Sequence, residues 1–239
     1  MAGPPFTVTH VLFDVDGTLV DFDVALRNAL EAAAGRCSEL TGTIVSPAAL
    51  QTERNLVIAE PQWRRALLAD ARRESLRRVL VAGGVTEEAA ADEVTELFFR
   101  TRAETTPVFP DVISTLERLR EDGFRLIAAS NGNLDLSVPG LDRYFETTLF
   151  AAEAQHLKPD PRFFRQAVQS AGGTPAATVA VGDTPANDYA PAHEAGLHPV
   201  LIDRENLFAG TSMLRIASLA ELPAMLERAA RSHGSSVGG

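Results

Sequence analysis

With 239 residues, 45% of them apolar, the chain can bury one substantial core and has room for a main domain plus a small insertion. Its formal net charge of −10 excludes general attraction to nucleic-acid backbones or anionic membranes, which depends on clustered Lys and Arg. A single cysteine, Cys37, excludes an internal disulfide and fits a reducing compartment.

Met1 to Val8 lacks the basic start and apolar stretch of a signal peptide, and no run reaches the roughly 20 apolar residues needed to span a bilayer. A soluble, cytoplasmic protein is expected. Val8 to Phe13 is rich in β-branched and apolar residues and stops abruptly at acidic and glycine residues, the pattern of a buried strand feeding a loop. Phe22 to about Arg102 contains no convincing strand and is dense in Ala, Leu, Glu and Arg, which predicts a helical insertion. Its expected helices are Asp23 to Leu40, Pro47 to Ile58, Pro61 to Val81 and Glu87 to Arg102. Ser46 and Thr86 stand at two helix starts, the first reinforced by Pro47. Downstream, short apolar runs at Phe124 to Ala129, Thr147 to Ala151, Thr178 to Val181 and Pro199 to Ile202, with a weaker one at Leu214 to Ala217, alternate with helical spacing at Val112 to Glu121, Pro161 to Ser170, Asn187 to Ala195 and Leu219 to Ala230. That alternation predicts an α/β fold, a Rossmann-like parallel sheet with helices on both faces, built from residues 1–20 and 104–239, with residues 21–103 as the helical insert and residues 232–239 as a flexible tail. Ligands of such sheets bind beyond the carboxyl ends of the strands.

The chemistry-bearing motifs all fall at those ends. Asp14-Val15-Asp16-Gly17-Thr18 puts two carboxylates two positions apart, and Gly17 permits a sharp bend that gives them different directions; a plain Asp/Gly turn is the simpler alternative. Ser130-Asn131-Gly132 supplies a hydroxyl and a small polar turn suited to phosphate oxygens, though a turn signal alone reads the same way. Lys158 precedes a double-proline turn, where a solvated surface lysine is the plain alternative. Gly182-Asp183 with Asp188 adds two acids suited to a hard cation, unless Asp188 only caps a helix. In the insert, Trp63, Arg64 and Arg65 sit near Pro61 at a helix start and are candidates to line the entrance to the site, although partial core with a solvated face is the commoner role.

In this order and at these strand ends, the four motifs resemble those of the haloacid dehalogenase superfamily of hydrolases, and the insert is similar in position to that family's helical cap. The resemblance implies that Asp14 is a nucleophile forming an aspartyl phosphate, and Asp16 a general acid and base. It implies that Mg2+ is held by Asp14, the Asp16 main-chain carbonyl, Asp183 and Asp188, and that phosphoryl oxygens are held by Ser130, Asn131 and Lys158. An acid at position 16 favours phosphoryl over carbon–halogen chemistry within the family. The expected activity is a magnesium-dependent phosphomonoesterase acting on a small phosphorylated metabolite. A sugar phosphomutase, or a non-catalytic binding protein on the same fold, are the alternatives.

Overall fold

The computed structural model describes residues 8–63 and 66–234. It divides into two compact units: the chain up to Val20 and again from Val108, and Asp21–Pro107 between them.

The first unit holds a six-stranded sheet in the order β3-β2-β1-β4-β5-β6, with every pairing parallel. The strands are β1 (His10–Phe13), β2 (Arg125–Ser130), β3 (Thr147–Phe150), β4 (Thr178–Gly182), β5 (His198–Ile202) and β6 (Arg215–Ile216). Each parallel step is bridged by a crossover, and the order reverses at β1, so the loop after β1 lies at the switch point where such sheets bind ligands. Leu12 pairs in register with Ile127 on one side and Ala180 on the other, which sets these three in a row across one face. They pack in one core with Phe163, Phe164, Ala167 and Val168 of α6 (Pro161–Ser170) and Ala192 of α7 (Ala190–Glu194). The intervening residues Val11, Phe13, Leu126 and Val181 are buried as well, so the strands are covered on both sides and read as continuous apolar runs. Two further helices, α5 (Val112–Glu121) and α8 (Leu222–Gly234), complete the unit. Phe163 is wholly buried, and Phe163→Ala is expected to cost about 3–5 kcal/mol in urea denaturation with little change in m-value.

The second unit consists of α1 (Phe22–Thr41), α2 (Pro47–Ala59), α3 (Leu68–Ala82) and α4 (Glu88–Glu104). Ala29, Ala33 and Cys37 of α1, Leu50 of α2, Leu76 and Leu80 of α3, and Val94 and Phe98 of α4 form its core. Asp21 and Ser46 cap α1 and α2 through side-chain acceptors for Val24 and Ala49 amides.

Several boundaries differ from the sequence expectation. The segment expected as one helix from Pro61 to Val81 is a 3-10 turn, Pro61–Trp63, followed by α3 from Leu68. Thr86 does not cap α4; Glu87 holds that position without a side-chain cap, and its carboxylate instead accepts the Thr86 amide. The helix expected over Asn187 to Ala195 is a π-turn, Pro185–Tyr189, running into α7, because Pro191 has no amide to donate back into the preceding turn. Helix α8 runs through Gly234, so Ser232 to Gly234 are helical rather than tail; residues 235–239, like Arg64 and Arg65, lie outside the described residues. No helix among the described residues is long and apolar enough to cross a membrane.

Candidate active site

Asp14 follows β1 directly, and its amide donates to the Val181 carbonyl at 2.8 Å, which carries the β1–β4 ladder one residue further. The chain then turns at Gly17, whose φ of 83° lies in the left-handed region and whose amide donates to the Val20 carbonyl at 2.9 Å. A side chain at Gly17 would run into the Asp183 carboxylate, so the bare backbone is what lets the first loop approach the loop after β4. Ser130 ends β2; its Oγ accepts the Gly132 amide at 2.8 Å and donates to Asp16 Oδ2 at 3.3 Å. At Gly132 an added Cβ would strike the Asp16 carboxylate, so this turn too is built for close approach.

Lys158, in the loop before α6, is buried, and its Nζ donates to Asp14 Oδ1 at 2.6 Å and Asp188 Oδ1 at 2.8 Å. The ammonium sits 5.7 and 5.6 Å from the ring centroids of Phe163 and Phe164, so the α6 core also forms the floor under the charge. Asn131 brackets the lysine backbone: its Nδ2 donates to the Lys158 carbonyl and its Oδ1 accepts the Lys158 amide, both at 2.9 Å. The Asn131 side chain thereby helps to place Lys158. Asp183 and Asp188 follow β4, the latter on the π-turn, a distortion often found at functional sites. Asp188 Oδ2 accepts the Thr184 amide at 3.1 Å, and the Thr184 hydroxyl donates to Asp183 Oδ1 at 3.1 Å.

The structure thus brings the seven residues of the four motifs, Asp14, Asp16, Ser130, Asn131, Lys158, Asp183 and Asp188, to one cluster of loops; Trp63 lies in the helical unit, in the 3-10 turn Pro61–Trp63. One carboxylate oxygen each from Asp14, Asp183 and Asp188 lie within 4.8 Å of one another. An all-oxygen donor set of this kind fits a hard divalent cation and not a soft one. Electrostatics point the same way, since within this set four carboxyls face a single ammonium. Burial pushes the Asp14 carboxyl well above its usual range, with Lys158 pulling it down and Asp188 and Asp16 pushing it further up. Burial and the charge of Asp188 lift Asp183 to about 6. Burial opposes the charge on Lys158, yet Asp14 and Asp188 hold it up at about 12.

Two participants escaped the sequence reading. Thr18, fully buried, donates to Asp14 Oδ2 at 3.3 Å and so orients the carboxylate from the side opposite Lys158. Thr184 ties the two later acids together. Thr184 adjoins Asp183 and Thr18 lies two positions after Asp16, but a hydroxyl near an aspartate in a turn carries no distinguishing signal.

The family model for haloacid dehalogenase-like hydrolases matches residues 8–196. The chain belongs to that family. A phosphoglycolate phosphatase of Cupriavidus necator is 31% identical, over 95% of this chain and 96% of that one. A phosphoserine phosphatase of Thermus thermophilus is 37% identical over 52% of this chain, a match that spans half of that relative. Among solved structures, a 2-haloacid dehalogenase from Pseudomonas syringae pv. Tomato DC3000 aligns with a TM-score of 0.82 and 31% identity over 93% of this chain and 99% of its own. The phosphatases among these relatives make this member of the haloacid dehalogenase-like hydrolases a phosphatase-type hydrolase.

Proposed function

We propose that this hydrolase removes the phosphoryl group from a small phosphorylated metabolite, with Asp14 as nucleophile and a magnesium ion as cofactor. The observation that carries the reading is the placement of Asp14 at the end of β1, gripped by Lys158 at 2.6 Å and within 4.8 Å of oxygens of Asp183 and Asp188. An Asp14 oxygen forms the new bond to phosphorus while the ester P–O bond breaks, and Asp16 gives its proton to the departing alkoxide. Water then attacks the aspartyl phosphate, Asp16 takes its proton, and inorganic phosphate leaves with Asp14 restored. Ser130 and Lys158 hold the transferring oxygens, and Asn131 fixes the lysine that does so. Asp14, Asp183, Asp188 and the Asp16 carbonyl would hold the cation, which when bound would offset the repulsion between an anionic nucleophile and an anionic ester. The helical unit, Asp21–Pro107, corresponds in sequence position to the family's cap and is read as the part that selects the substrate.

The 2-haloacid dehalogenase named above favours a second reading, attack of Asp14 on a carbon bearing halogen. A halide leaves as a stable anion and needs no proton, whereas an alkoxide does. Asp16, held 3.3 Å from Ser130, supplies that proton and favours the phosphoryl reaction. The test is hydrolysis of p-nitrophenyl phosphate and 2-phosphoglycolate with magnesium, beside chloride release from 2-chloropropionate. Phosphate release that disappears on chelation and returns with magnesium is expected. Chloride release alone, or hydrolysis that survives complete cation removal, would overturn the proposal.

A further inference from the structure

Among the described residues of the helical unit, the arginines differ in what they reach. Arg36, Arg73, Arg77 and Arg78 are partly exposed, and each reaches a carboxylate, Arg36 to Glu93 at 2.7 Å and Arg77 to Glu74 at 2.8 Å among them. Arg72, on α3, is only 5% exposed and reaches no carboxylate among the described residues. Its guanidinium lies 4.6 Å over the Phe98 ring of α4 and donates to two neutral acceptors, the Leu50 carbonyl at 3.5 Å and Gln51 Oε1 at 3.0 Å, both from α2. Arg54, half-buried on α2, likewise makes no ion pair among the described residues.

A guanidinium taken out of water without a counter-charge costs several kcal/mol, and replacing it with an apolar side chain of similar size would remove that cost. The arrangement is therefore expensive for the fold alone. It is well suited to a ligand, because a planar guanidinium stacked on an aromatic ring presents its remaining donors as a fixed fork that matches a carboxylate or phosphate. The three helices hold that fork rigidly, so little entropy is lost on binding.

We propose that the helical unit carries an anion site, built on Arg72 with Arg54 and Gln51, that takes a carboxylate or phosphate group. The charge balance agrees: burial first, then the charge of Arg54, depresses the Arg72 guanidinium to about 10, and an anion beside it relieves both. If the anion is part of the substrate, the inference deepens the phosphatase reading: the preferred ester carries a second anionic group besides its phosphate.

The test uses the full chain, free of divalent cations, with glycolate as the probe and ethylene glycol as its neutral counterpart. Glycolate is expected to raise Tm by several degrees as the site saturates, ethylene glycol is not, and Arg72→Met removes the glycolate shift. Arg72→Lys, which keeps the charge without the fork, retains only a small part of it. Should Arg72→Met fail to fold, Arg54→Gln at the half-buried position gives the same readout. The source of the anion follows from selectivity. Where it belongs to the substrate, kcat/KM for 2-phosphoglycolate relative to ethyl phosphate falls by roughly 30-fold in Arg72→Met. Where a free anion is the natural ligand, that ratio stays constant while the glycolate shift is lost. Equal glycolate shifts in the wild type, Arg72→Met and Arg54→Gln, or no shift in the wild type, would overturn the site. Loss of the glycolate shift in a protein that hydrolyses no phosphate ester would leave the anion site standing and remove the phosphatase reading instead.

Discussion

Asp14→Asn is expected to lower kcat on p-nitrophenyl phosphate by on the order of 10⁴-fold while leaving the protein as stable as the wild type or more so. The first half follows from chemistry, since an amide oxygen cannot displace the alkoxide and no second carboxylate occupies the same place. The second follows from the burial of Asp14. Its carboxyl is pushed up by desolvation and by Asp188 and Asp16, against the pull of Lys158, so the folded protein holds this negative charge reluctantly. Asparagine keeps the shape, keeps an acceptor oxygen for the Lys158 ammonium while its amide N–H turns to the Thr18 hydroxyl as acceptor, and removes a like charge from the acid cluster. Lys158 retains its ion pair with Asp188 at 2.8 Å, so no buried ammonium is left unpaired. Thermal melts of the metal-free proteins beside steady-state rates check both halves. Wild-type turnover by Asp14→Asn would remove the nucleophile assignment outright.

How far the sequence disclosed this arrangement depended on how local the relevant physics was. The strands were readable because both faces of the sheet are covered, so Val11-Leu12-Phe13 and Leu126-Ile127-Ala128 appear as uninterrupted apolar runs. Helices α5 and α6 were readable to the residue because each has an apolar stripe bounded by turn residues, with Asp160 and Pro161 marking the start of α6. The break between Trp63 and Leu68 was not readable: no proline or glycine marks it, and the apolar spacing runs on through Leu67, Leu68 and Ala71. The motif acids were readable as residue types at strand ends, but their division of labour was not. That the Asn131 side chain clamps the Lys158 backbone depends on a meeting of two loops 27 positions apart. The missing counter-charge of Arg72 is equally invisible in a segment, Arg72-Arg73-Glu74, that reads as an ordinary solvated helix face.

The same acid cluster makes stability depend on pH and on cations in a linked way. Asp183 titrates near 3.8 in an unfolded chain and at about 6 in the folded one. The folded state therefore binds this proton more tightly than the unfolded state, and stability from this group falls as pH rises from about 4 to about 6, with the full penalty present above that. The gap corresponds to roughly 3 kcal/mol. In the absence of divalent cations the protein is thus expected to lose stability from this site between pH 4 and 6, opposite to the trend of a salt-bridged aspartate. Magnesium is expected to reverse the loss at pH 7 to 8, where the carboxyls are free of protons, and to act weakly near pH 5, where protons compete for the same oxygens. At a concentration 100 times its Kd, a cation contributes about 2.7 kcal/mol, which for a chain of this size raises Tm by about 5–10 °C. Asp183→Asn separates the two effects. It is expected to make the metal-free protein more stable at pH 7, to abolish the magnesium-dependent rise in Tm, and to reduce kcat/KM by more than the roughly 10- to 100-fold typical of losing a ligand's supporting partner. Melting curves at several pH values with and without magnesium read the first two outcomes without any substrate. A variant that still gained Tm from magnesium as the wild type does would place the cation elsewhere, and a wild type indifferent to magnesium at pH 8 would leave the three carboxylates without the role that best explains their approach.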